Sequence, residues 1–162
     1  MVEVKPNHFM KLNLTFIALL YVTFIFGQSQ TVNGIDLNAP MGYNRVGDLH
    51  WSENDNHVLV TYASGFHDVG EEFVSTPNRG TTFIESFEFD LNGKTYLLGV
   101  HEGNNGLSIG ALGLHKNDFT YFILVAISPF DYSGTEEEIA IQTAQEMGRV
   151  IGYMVARFTI DF

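Results

Sequence analysis

The chain has no cysteine. Disulfides are excluded, and so is a lipid anchor of the kind attached to a cysteine at a cleavage site, so the fold must stand on its hydrophobic core alone. Basic residues are scarce. Against 19 Asp and Glu stand 8 Lys and Arg, a net charge of −11 over 162 residues. A surface of that sign repels phosphate backbones and anionic lipid, so nucleic acid is not an expected partner. Histidines at metal-ligand spacing such as H-x-x-x-H are missing, and Asp55-Asn56 does not open a calcium loop. The sequence points to no metal and no cofactor.

One long apolar run is present, from Leu12 to Phe26, after Met10-Lys11 and before Gly27-Gln28-Ser29. A short basic start, an apolar stretch and small residues beyond it make the pattern of a secretory signal peptide. The run is short for a bilayer span, which takes roughly twenty apolar residues, so no stable span is expected after cleavage. Met10 makes a better start than Met1, and residues 1–9 read as an upstream extension. The cut is expected after Gly27 or after Ser29, giving a protein exported to the periplasm or the medium. An uncleaved anchor and a buried core helix are the alternatives. Beyond residue 27 six basic and eighteen acidic residues remain, a net charge of −12. Residues 28–162 are the size of one domain.

The rest of the chain reads as α+β. Gly34–Leu37 and Tyr43–Trp51 suggest short strands around the turn at Pro40-Met41-Gly42, and His57–Ala63 alternates as a strand. Phe66–Ser75 suggests a short helix, with Asp68 and Glu71 spaced as a capping box, ended by Pro77-Asn78-Arg79-Gly80. Asn92-Gly93, Gly103-Asn104-Asn105-Gly106 and Asn117-Asp118 then mark three turns between alternating apolar runs. They define an antiparallel meander of strands 81–91, 94–102, 107–116 and 119–128. Tight turns fix register. The expected rows are Phe87, Leu98, Ala111 and Leu124 on one face and Glu88, Leu97, Leu112 and Ile123 on the other. Both faces are apolar, so the sheet calls for cover on both sides.

Thr135-Glu136-Glu137-Glu138 is a capping box with acidic residues where the helix dipole favours them. Ala140, Ala144, Met147, Ile151, Met154 and Phe158 recur at helical spacing, which predicts a helix from 136 to about 157. Ala140, Ala144, Gly148, Gly152 and Ala156 repeat every four residues along it. Two glycines inside a helix cost roughly 1 kcal/mol each, so close backbone approach along this ridge is expected to compensate.

A short N-terminal strand pair, a helical connection, a four-stranded meander and a long C-terminal helix resemble the PsbP-like superfamily. The opening Gly34-Ile35-Asp36-Leu37-Asn38-Ala39-Pro40-Met41-Gly42-Tyr43 is similar to that group's apolar strand followed by Pro-x-Gly and an aromatic residue. The likeness spans about 34 to 158. It implies an α/β/α sandwich, with the meander covered by the C-terminal helix, a short helix and the N-terminal strands. It also implies a binding or assembly role without catalytic residues, as among exported bacterial members and photosystem accessory proteins. It supplies no active site, and neither the photosystem members' N-terminal arm nor a GTPase-binding motif is recognisable.

The expected register sets His101 opposite Ser108, a minimal base and nucleophile. Ser108 falls on a flat strand and not at the sharp strand-to-helix elbow that presents a nucleophilic serine, so a polar contact near a strand end is the plainer reading and a small hydrolase the alternative. Glu85 and Glu102 fall diagonal to one another on the other face, near a solvated edge. Gly99 and Gly110 are expected as cross-strand neighbours that form a shallow trough with Ser86, fit for the small-residue ridge of the helix or for a ligand. Trp51, Tyr43 and Phe66 read as core aromatics or as the wall of a pocket. The function expected is a non-enzymatic binding or accessory domain of the cell envelope, its partner an unidentified protein or small ligand. The alternatives are the His101/Ser108 hydrolase and a binder of a small apolar ligand between sheet and helix.

Overall fold

A computed structural model describes residues 30–67, 74–75, 80–91 and 93–159. The apolar run, both cleavage positions and the Asp68/Glu71 pair lie outside the described residues. The fold is α+β: a seven-stranded antiparallel sheet, a separate two-stranded sheet and one long C-terminal helix.

The described residues begin with two hairpins. Strands β1 (Gln30–Val32) and β2 (Ile35–Leu37) pair around Asn33-Gly34, whose φ values of 51° and 79° suit a primed turn. Strands β3 (Asn44–Gly47) and β4 (His50–Glu53) form the second hairpin. The expected turn at Pro40-Met41-Gly42 is present between short strands, closed by Tyr43 N–H donating to the Pro40 carbonyl at 3.0 Å, but Ile35–Leu37 pairs back to Gln30–Val32 and Tyr43–Trp51 contains a hairpin of its own. β5 (Asn56–Ser64) follows, then β6 (Thr81–Leu91), β7 (Lys94–Gly103), β8 (Ser108–Lys116) and β9 (Phe119–Ile127). The sheet runs β3-β4-β5-β9-β8-β7-β6, which leaves β6 at one edge.

The expected meander is present; the β8–β9 hairpin keeps the expected register throughout, and the β6–β7 hairpin keeps it from Glu85 to Leu91. Phe87 faces Leu98, and Ala111 faces Leu124. The β7–β8 hairpin does not. Leu98 faces Leu112 and not Ala111, because the turn is a three-residue loop, Asn104–Gly106, closed by Gly103 N–H donating to the Leu107 carbonyl at 2.7 Å. Asn105 and Gly106 both take positive φ there, 64° and 74°. A bulge at Ile84 adds a second slip, so His101 faces Phe83. Since side chains alternate with period two, a slip of one residue exchanges faces.

The covered face carries Trp51, Val58, Val60, Leu112, Leu114, Tyr121, Ile123 and Val125, all buried. Helix α1 (Glu136–Thr159) lies over β8 and β9 beside β2. It begins at the expected capping box: Thr135 N–H donates to Glu138 Oε2 at 2.8 Å, and Glu138 N–H to Thr135 Oγ1 at 3.3 Å. Met147, Val150, Ile151, Met154, Val155 and Phe158 point into the core. The small-residue ridge does not. Ala140, Ala144 and Gly148 are exposed, and a Cβ built on Gly148 or Gly152 meets open space. Glycine ridges permit close approach without requiring it. Here the bulky neighbours at 147, 150, 151 and 154 take the sheet side because they bury more apolar area.

On the opposite face, Val74–Ser75 approaches the sheet over Gly99 and His101.

A candidate ligand groove between the helix and the sheet edge

One helix is too narrow for this sheet. Seven strands spaced about 4.8 Å apart span roughly 29 Å, against about 10–12 Å for a helix with its side chains. Over β8 and β9 the helix seals the core. Toward β7 and β6 the covered face runs out from under it, and a groove of about 650 Å³ opens there.

Its floor is Phe87 of β6 with Leu98 and Val100 of β7, and its wall is the N-terminal half of α1: Ile139, Ala140, Thr143, Ala144, Met147 and Gly148. The small residues at 140, 144 and 148 therefore border the groove. Glu85, Ser108, Pro129 and Glu136 complete the lining. Phe87 is 46% exposed and the bulge residue Ile84 is 51% exposed, so the edge strand carries apolar surface that the described residues leave open. Thr143 Oγ1 donates to the Ile139 carbonyl at 2.8 Å, which quiets the one buried hydroxyl in the wall.

The two residues singled out as nucleophile and base are not brought together. Ser108 faces Glu102 and lines the groove, whereas His101 faces Ile109 on the other side of the sheet. His101 is 4% exposed, and its Nε2 lies 2.7 Å from the Val74 carbonyl oxygen, an arrangement that puts the proton on Nε2. Gly99 and Gly110 are separated in the same way. A Cβ on Gly99 would sit 2.0 Å from the Val74 carbonyl oxygen; one on Gly110 would meet Ile151 Cδ1 at 2.9 Å and Met147 Sδ at 3.1 Å. Each glycine admits a close approach, on opposite faces and to different partners. Ser86 does face Gly99, on the side away from α1, so no trough of the three exists. Glu85 and Glu102 stay on one face and are both exposed, as their place near an edge suggested.

Of the aromatics, Trp51 and Tyr43 are core residues, and Phe66 lies exposed against the His115 ring. Tyr43 belongs to a second polar group that sequence reasoning missed. Its hydroxyl donates to Glu146 Oε1 at 3.2 Å, and Arg149 binds the same carboxylate through two nitrogens at 2.6 and 2.7 Å. Burial, and then the Glu146 charge, push the Tyr43 hydroxyl far above the ordinary tyrosine value; Arg149 works against that shift. The hydrogen bond to Glu146 raises the Arg149 guanidinium in turn. The cluster clasps α1 to the segment before β3. Glu146 and Arg149 at i,i+3 were legible as a helix-surface pair; Tyr43, over a hundred residues away, was not.

Comparison with protein-family models, with curated proteins and with solved structures finds no match. No helix among the described residues is long and apolar enough to cross a membrane.

Proposed function

We propose that the protein is an exported, non-enzymatic binding domain of the bacterial cell envelope that takes an apolar ligand into the groove between α1 and β6–β8. The observation that carries this reading is the groove itself: about 650 Å³, floored by Phe87, Leu98 and Val100 and walled by residues too small to fill it. That volume lies within the range of sites for small organic ligands, roughly 300–1,000 Å³. The split of His101 and Ser108 between two faces removes the nucleophile and base that the sequence suggested. The signal-peptide pattern of residues 10–29 supplies the compartment, and the PsbP-like order of elements fits a binding or assembly role.

The test is titration with N-phenyl-1-naphthylamine, whose fluorescence rises in apolar surroundings. Gly148→Leu places an isobutyl group in the open space of the wall, at a position where leucine also favours the helix. It is expected to weaken binding at least about tenfold, as steric exclusion from a pocket of this size does. Gly152→Leu makes the same change at a residue outside the groove lining and is expected to bind as the unaltered protein does. Equal binding by the Gly148→Leu protein would remove the groove as the site.

A further inference from the structure

We propose that the groove selects an apolar ligand with a cationic end, an alkyl or aryl amine or guanidine. This rests on the groove being the ligand site and goes on to name the chemistry of the ligand's polar group.

Apart from the Ser108 and Thr143 hydroxyls, the polar side chains that line the groove are two carboxylates, Glu85 and Glu136. The described lining residues include no Lys, Arg or His. Glu85 stands at the sheet edge and Glu136 in the first turn of α1, so the carboxylates come from opposite sides, and both are exposed. A fatty acid would bring its carboxylate against two like charges, within the field of a chain of net charge −11. An ammonium can donate to either carboxylate while its tail runs along Ala140, Ala144 and Gly148. Phe87 lies two residues from Glu85 on the same face of β6, roughly 7 Å along the strand, and offers a half-exposed ring to the same cation. The helix dipole opposes a cation at this end with about half a unit charge, which the full charge of the Glu136 carboxylate outweighs.

The experiment compares decylammonium, decanol and decanoate, each below its micelle concentration, as displacers of N-phenyl-1-naphthylamine. The inference expects decylammonium to bind about fivefold more tightly than decanol, the effect of two exposed ion pairs, with decanoate weakest. In the Glu85→Gln/Glu136→Gln protein the spread between the three should fall below about twofold, with decanol unchanged. Glu137→Gln removes the same charge outside the groove lining and should keep the preference. Equal affinities, tightest binding of decanoate, or a preference that survives the double substitution would overturn the cationic assignment and leave the groove standing. Failure of all three compounds to displace the probe, with binding unaltered in Gly148→Leu, would overturn the groove and the assignment together.

Discussion

Glu102 stands opposite Ser108 in the β7–β8 ladder, and that pairing puts His101, one residue earlier, on the other side of the sheet. A turn of four residues would have set His101 and Ser108 side by side. The three-residue loop Asn104–Gly106 parts them, and with them Gly99 and Gly110. Much of the distribution of chemistry in this domain follows from that loop.

The two glycines test the register directly. Gly99→Ala would drive a methyl group into the Val74 carbonyl, a backbone atom that cannot rotate away. We expect a loss of about 2–3 kcal/mol, the upper range for overpacking, read as a lower midpoint in urea. Gly110→Ala meets only the ends of Ile151 and Met147, which can move, so a loss near 1 kcal/mol is expected. The reverse order would place the helix over Gly99.

How much of this was legible beforehand follows from which signals were local. Asn117-Asp118 and the Thr135/Glu138 box each act within a few residues, and both fold as the sequence implied. The meander strands also emerged close to their expected limits. The middle turn misled because Gly103-Asn104-Asn105-Gly106 accommodates loops of either parity, and parity decides the face. The ridge misled for another reason. Small residues at every fourth position show where a backbone can be approached, and the approaching body need not be part of the chain. That 140, 144 and 148 border a groove depends on the width of the sheet relative to α1, which no local pattern encodes.

Gly148 and Gly152 cost helix stability, and a Cβ at either would meet open space. Gly148→Ala should therefore raise stability by about 0.5–1 kcal/mol, seen as a higher thermal midpoint. A loss would mean that Gly148 is packed.

Tyr43 sets an alkaline limit. Its hydroxyl is held well above the ordinary tyrosine range, mainly by burial and secondly by Glu146, so the folded state keeps a proton that the unfolded chain releases from about pH 10. Stability from this group is fully present below that pH and is lost as pH climbs beyond it. Tyr43→Phe should flatten the decline between about pH 10 and 11.5, and at pH 7 should cost about 1 kcal/mol for the missing hydrogen bond to Glu146. Denaturation midpoints across that range decide the matter; parallel curves for both proteins would contradict it.

The start of α1 has the opposite sign. Hydrogen bonds from Thr135, the backbone one first, lower the Glu138 carboxyl below its usual value. Its contribution is present above the unfolded pKa and disappears as pH falls through the folded one. The thermal midpoints of the native and Glu138→Gln proteins should thus differ at pH 7 and converge as pH falls through the lowered folded-state value. Thr135→Ala should cost about 1 kcal/mol at pH 7, as the loss of an N-cap side chain does.

The central claim is that ligand enters between α1 and the β6–β8 edge, and methionine methyl resonances read it most directly. Met147 lines the groove, Met154 is buried farther along the same helix, and Met41 is exposed elsewhere. In protein labelled with 13C-methyl methionine and titrated with N-phenyl-1-naphthylamine, the Met147 signal should shift progressively to saturation while those of Met154 and Met41 stay in place. A saturable shift at Met41 or Met154 with Met147 unmoved would contradict the account.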